Sequence, residues 1–213
     1  MIYLIQICYN FYANRKENMK KEVVIIAGAN GSGKTTFARN FSSHIPFSFI
    51  NADEIAFSIS PHNVDESKII AGKSFFKQIE TMINEEKNFI IESTLSGRSL
   101  LNWIKKIRVN GYFIKIIYVF LENPQMCIER IKERVLKGGH FIPDEDVIRR
   151  FDRSVNNFWF QYKNNVDEWY LFYNSMNTFV ELSFGIDDIY FVYDKTLFEK
   201  FFRIIKENNY GSR

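Results

Sequence analysis

A lysine and a threonine closing a glycine-rich run are the residues of this sequence with the clearest chemistry. The run is GANGSGKT, Gly28 to Thr35, and it fills every position of the G-x-x-x-x-G-K-[ST] pattern. Gly28, Gly31 and Gly33 allow the chain to curl until successive N–H groups point at one spot. Lys34 adds a cation suited to the β- and γ-phosphates of a nucleoside triphosphate, and the Thr35 hydroxyl can ligate Mg²⁺. Gly28, Ala29, Asn30, Gly31, Ser32, Gly33, Lys34, Thr35 and Thr36 therefore form the expected cradle, with ATP and Mg²⁺ as its occupants.

Two carboxylates follow in FSFINADEI and NFIIESTLSGR. Transfer of a phosphoryl group to a hydroxyl needs an acid residue to accept the hydroxyl proton. Asp53 is the candidate for that base and for a substrate contact, its alternative role being a helix N-cap. Glu92 closes an apolar run and can hold a water on Mg²⁺ or orient substrate. The later run IKIIYVFLE contains no Asp, so the usual acid of that strand is missing, which strengthens the metal-side claim of Glu92 and Asp53. Thr94 and Arg98 are candidate substrate contacts, although Thr94 or Ser96 could equally cap the next helix.

The third chemical group is a set of arginines in MCIERIKERVLKGGHFIPDEDVIRRFDRS. Arg130 and Arg134 are spaced i,i+4 and so share one helix face. Arg149 and Arg153 repeat that spacing, and Arg150 lies three residues before Arg153. Gly138-Gly139-His140 separates the two helices and offers a hinge. Two helices on a glycine hinge read as a lid that brings cations to a transferred phosphoryl group and excludes water. Ordinary surface pairing with Glu129, Glu133, Asp144 and Asp146 is the alternative reading.

Alternating elements must position these residues. Val23 to Ala27, Phe47 to Asn51, Asn88 to Ile91, Tyr112 to Leu121 and Trp169 to Tyr173 read as strands. Helices are expected from Thr35 to His44, Ser67 to Lys87, Arg98 to Val109, Pro124 to about Lys137, from Asp144, and from Thr196. Two further short β segments lie before the last helix. The pattern predicts an α/β fold of the P-loop NTPase type: three layers, a parallel sheet of about five strands flanked by helices, and a helical lid. In such sheets ligands bind at the carboxyl ends of the strands, where Gly28, Asp53 and Glu92 fall.

The totals agree with one domain. The chain has 213 residues, 46% of them hydrophobic and 17% aromatic, with a formal net charge of +3. That weak charge gives no support to broad nucleic-acid binding. Phe158, Trp159 and Phe160 are crowded in a way that suits packing better than base stacking. Cys8 and Cys127 show no metal or redox spacing, which makes a reduced cytoplasmic protein the default. No apolar run reaches the ~18 residues of a membrane span. The segment MIYLIQICYNFY lacks the basic start and cleavage site of a signal peptide. MKKEVVIIAG, from Met19, reads as a natural start, so residues 1–18 are expected to be an extension and 19–213 a single domain. An extra edge strand or a short apolar helix on the domain is the other reading of that extension.

Taken in order, GANGSGKTT, INADEIA, IESTLSG and RVLKGGHFIPDEDVIRRFDRS resemble the zeta-toxin group of P-loop kinases, in particular its short, stand-alone members. The resemblance spans about Lys21 to Asn165. It implies a kinase that uses ATP and Mg²⁺, with Lys34 as the phosphate-loop lysine, Asp53 as the base, Glu92 as the third-strand acid, and Arg134 and Arg150 among the lid arginines. Characterised members of the group phosphorylate UDP-N-acetylglucosamine and are neutralised by an antitoxin partner. The chain departs from the pattern in its length, which leaves little room for sugar-nucleotide insertions. EIAFSISPHN also lacks the arginine expected soon after the base. A nucleoside or polynucleotide kinase, or a P-loop ATPase of another kind, are the alternatives.

Overall fold

The computed structural model describes residues 21–59, 64–175, 178–186 and 189–210. The expectations for residues 1–18 and for Cys8 lie outside the described residues. The described elements are β1 (Glu22–Ala27), α1 (Lys34–Ser42), β2 (Ser48–Asn51), α2 (Ala52–Ile59), α3 (Val64–Asn84), β3 (Phe89–Ser93), α4 (Ser99–Val109), β4 (Phe113–Phe120), α5 (Pro124–Leu136), α6 (Asp144–Asn157), β5 (Glu168–Ser175), β6 (Thr178–Ile186), β7 (Ile189–Val192) and α7 (Lys195–Tyr210).

β1 shows why the sheet forms. All six of its residues are buried, and from Val23 to Ala27 they alternate between two apolar clusters. Val23, Ile25 and Ala27 join a large cluster that includes Ile79 of α3, Ile104 of α4, Ile131 of α5, Phe151 of α6 and Phe201 of α7. Val24 and Ile26 join a smaller one with Phe37, Ala38 and Phe41 of α1. A strand covered on both faces must be apolar throughout, and its crossover partners run parallel to it. The result is the three-layer α/β fold that the sequence implies.

The strand count differs from expectation. One sheet holds seven strands in the order β2-β3-β1-β4-β5-β6-β7. The first five in that order pair in parallel, while β6 and β7 return antiparallel. What read as two short β segments are full members of the sheet, and β6 is nine residues long. Its sequence TFVELSFGI mixes polar and apolar residues because its surroundings are less uniformly apolar than those of β1. A register shift at Leu171/Phe172 accommodates one extra residue of β6, as a bulge does.

The lid helices begin with recognisable signals. Asn123 caps α5 by accepting the Met126 N–H at 3.0 Å, and Pro124 occupies the first turn, where its missing N–H costs nothing. α6 carries Asp144, Glu145 and Asp146 in its first turn, complementing the helix dipole. Beyond α6 a π-helical turn, Phe158–Tyr162, buries Phe158 and Trp159 against Trp169, Phe198 and Phe201 and leaves Phe160 exposed. The first two aromatics pack, as their crowding suggests. No described helix is long and apolar enough to cross a membrane.

Candidate active site

The loop from β1 to α1 is held in a shape that only glycine permits at its turning points. Gly33 has φ 92°, and a Cβ there would lie 2.1 Å from Asn174 Nδ2. At Gly28, with φ 150°, a Cβ would lie 2.2 Å from the Val119 carbonyl oxygen. Both positions combine a backbone conformation that disfavours side chains with a close approach. The Phe37 N–H donates to the Gly33 carbonyl at 3.0 Å, which starts α1 directly at the loop's end. The positive end of the helix dipole therefore meets the cradle.

Around the loop opens a cleft of about 1140 Å³. Gly31, Gly33, Lys34, Thr35 and Thr36 line it, together with Asp53, Arg130, Arg134 and the turn Gly138-Gly139-His140. The structure thus brings the phosphate loop, the candidate base and the first lid helix to one place.

Glu92 lies inside β3 and beneath the cleft. It is buried, and its two oxygens are divided between partners. Thr35 Oγ1 donates to Oε1 at 2.7 Å, and Asn51 Nδ2 donates to Oε2 at 2.8 Å. Lys34 Nζ stands 3.8 Å from Oε1. Burial raises the Glu92 carboxyl above its ordinary 4.5. Lys34 and the Thr35 hydrogen bond pull it back, while the charges of Asp53 and Glu54 push it further up. Thr35 spends its proton on Glu92 and keeps its lone pairs for a cation.

Asp53 is exposed on the first turn of α2. The cap of that helix is Asn51, whose Oδ1 accepts the N–H groups of Asp53 at 2.7 Å and Glu54 at 3.3 Å. The alternative role of Asp53 as the N-cap is therefore corrected. Asn51 satisfies the first amides, and the Asp53 carboxylate faces the cleft without that duty. Asn51 was legible as an N-cap residue type with a glutamate three positions later. Its second bond, to Glu92, was not.

The lid arginines divide. Arg130 and Arg134 of α5 line the cleft. Arg134 Nη2 donates to the His140 carbonyl at 3.0 Å, so the side chain folds over the glycine turn. Burial lowers the Arg134 guanidinium below its ordinary 12.5, against the opposing charges of Asp53 and Glu92. Arg150 is absent from the cleft lining. It pairs with Asp146 at 3.2 Å, one helical turn back, and Arg149 pairs with Asp146 at 2.6 Å. The surface-pairing reading holds for these two, because α6 turns Val147, Phe151 and Val155 to the core. Gly138 and Gly139 form a helix stop, with the N–H of Gly139 on the Arg134 carbonyl at 3.0 Å.

Thr94 and Arg98 also fall outside the cleft lining. Thr94 Oγ1 bonds Ser96 Oγ at 2.9 Å, and the Thr94 carbonyl accepts from Ser154. Arg98 is the exposed residue preceding α4, and no side chain caps that helix. Cys127 is buried behind the loop, and burial pushes its thiol up to about 12, which keeps it protonated and unreactive.

A triphosphate with Mg²⁺ suits these residues on two counts. Ser32 Oγ is buried in the loop with no hydrogen-bond partner among the described residues, and its hydroxyl can donate to a phosphate oxygen. Thr35, donating its proton to Glu92, has its hydroxyl lone pairs for the cation. Mg²⁺ typically takes one or two protein ligands and completes its shell with phosphate oxygens and water.

Comparison with known proteins places this geometry in context. The profile of a family described as an AAA domain matches residues 23–157. An uncharacterised protein of Haemophilus influenzae is 34% identical over 133 residues, covering 62% of this chain and 94% of that protein. A cytidylate kinase of Saccharolobus islandicus is 34% identical over 84 residues, covering 35% of this chain and 44% of the enzyme. The chain thus matches less than half of that kinase's length. A structure from the PezAT chromosomal toxin–antitoxin system of Streptococcus pneumoniae shares the fold, with a TM-score of 0.57 over 84% of this chain and 78% of the other, at 13% identity.

Proposed function

The chain belongs to the AAA-domain family matched over residues 23–157, and from that premise we propose that it is an ATP-dependent kinase acting on the hydroxyl of a small molecule. The observation that carries the reading is the convergence of Lys34, Thr35, Asp53 and Arg134 on one cleft. A switch ATPase also needs an acid to hold Mg²⁺ or orient water; Glu92, bonded to Thr35, can fill that role, which leaves Asp53 as a second carboxylate at the cleft for the proton of an acceptor hydroxyl.

Each residue has a role in that chemistry. The loop N–H groups and Lys34 bind the β- and γ-phosphates. Thr35 would hold Mg²⁺ and Glu92 a water on it; the metal when bound neutralises charge on the phosphates. Asp53 takes the proton of the acceptor hydroxyl as its oxygen bonds to the γ-phosphorus. The bond from phosphorus to the ADP oxygen breaks, and the proton later passes to solvent. Arg134 offers positive charge to the transferring group from the lid side. Residues 19–213 act as one domain in this proposal, working in the cytoplasm.

The resemblance to the zeta-toxin group makes UDP-N-acetylglucosamine the first acceptor to test and an antitoxin protein the expected partner. A second reading, a nucleotide acceptor, is favoured by the similarity to cytidylate kinase. The test incubates the protein with ATP, Mg²⁺ and a panel of sugar nucleotides and nucleoside monophosphates, and follows the gain of one phosphate by mass spectrometry. Lys34→Ala is expected to abolish transfer. Asp53→Asn is expected to retain ATP binding and lose about 10²–10⁴-fold in turnover. ATP hydrolysis with no phosphorylated acceptor, unchanged in Asp53→Asn, would overturn the kinase assignment.

A further inference from the structure

One buried side chain outside every motif touches the phosphate loop. Asn174, near the end of β5, is 2% exposed. Its Nδ2 donates to the Ser32 carbonyl at 2.8 Å across 142 residues of chain. Its own main-chain carbonyl accepts from Arg130 Nη2 of α5 at 3.3 Å. Asn174 also lines the cleft.

The Ser32 carbonyl matters because of what a phosphate cradle requires. Loop N–H groups can face the anion only if the loop carbonyls turn away. A carbonyl turned into buried protein needs a donor there. Ser32 stands between Gly31, at φ 81°, and Gly33, at φ 92°. Glycine tolerates several backbone conformations, so the Ser32–Gly33 peptide has little steric resistance to rotating. Rotation would swing the Ser32 carbonyl toward the anion and the Gly33 N–H away from it. The Asn174 amide is the donor that opposes this rotation.

We propose that Asn174 is a positioning residue for the phosphate loop, holding the Ser32–Gly33 peptide with its N–H toward the bound phosphates. The residue acts through the loop and does not itself meet the phosphates. Its main-chain bond to Arg130 anchors the first lid helix to the same strand end. The proposal rests on the loop being a nucleotide site.

The test compares the parent with Asn174→Asp and Asn174→Ala. The aspartate has nearly the same shape but sets an oxygen against the Ser32 carbonyl, while alanine leaves that carbonyl without its donor. Affinities for ATP, tripolyphosphate and adenosine are measured by calorimetry, and folding is checked by circular dichroism. Both variants are expected to lose about tenfold or more in affinity for ATP and tripolyphosphate. Their affinity for adenosine should stay within about twofold of the parent's. If Asn174→Asp does not fold, Asn174→Ala decides alone. Unchanged tripolyphosphate affinity overturns the proposal, and so does an equal loss for adenosine and ATP alongside a lowered melting temperature. A parent that binds neither ATP nor tripolyphosphate overturns the nucleotide-site reading itself, a result distinct from either of those.

Discussion

Glu92 illustrates how a buried carboxylate burdens the fold around it. It sits buried under the phosphate loop with its carboxyl raised above 4.5, burial being the largest cause. A raised carboxyl binds its proton more tightly in the folded than in the unfolded state. Its contribution to stability is therefore greatest at low pH and declines as pH rises from about 4.5 through the folded-state value. Glu92→Gln removes that titration, at the pH-independent cost of setting an NH2 group where the carboxylate accepts from Thr35 or Asn51. The difference in melting temperature between variant and parent is expected to move in the variant's favour as pH rises above 4.5. Thermal melts across pH 4 to 8 check it, and a constant difference across that range would contradict the burial argument. Turnover by the same variant is expected to fall, since Thr35 and the metal side lose their carboxylate.

At the scale of elements, the sheet has its own buried charges at the end opposite the cleft. Lys115 of β4 lies between Glu22 of β1 at 3.3 Å and Glu168 of β5 at 3.2 Å, with Lys115 and Glu22 both buried. One cation thus ties three neighbouring strands at the start of each. Removing one member of a buried pair leaves a charge without its counter-ion, at a cost of about 3–5 kcal/mol. Lys115→Met is expected to lower unfolding free energy in urea by that amount and to leave ATP affinity within about twofold. A large loss of ATP affinity in a variant that still folds would show that the two ends of the sheet are not independent. The lid shows a different effect at this scale. Arg134 and Arg150 share a residue type and a helix–turn–helix context, but Arg134 lines the cleft while Arg150 pairs with Asp146 one turn back on α6. Arginine spacing along a helix reveals which residues share a face, whereas packing decides where that face points.

For the molecule as a whole, ligand binding should be visible as stability. A nucleotide that binds only the folded chain adds about 2.7 kcal/mol at a hundredfold excess over its Kd. ATP with Mg²⁺ is therefore expected to raise the melting temperature by about 5–10 °C. Lys34→Ala should show no rise, and chelation of Mg²⁺ should reduce the rise and abolish turnover. A rise of the same size in Lys34→Ala would place the nucleotide elsewhere. The sequence by itself determined the phosphate loop, because its glycines, lysine and threonine act within eight residues and need only a strand before them and a helix after. It determined the three-layer fold as well, since a strand like β1, apolar from Val23 to Ala27, requires cover on both faces. Tertiary structure alone decided that Asn51 bonds Glu92, that β6 and β7 extend the sheet to seven strands, and that Asn174 reaches Ser32. These contacts depend on which strands lie side by side, and strand adjacency leaves no local trace in residue spacing.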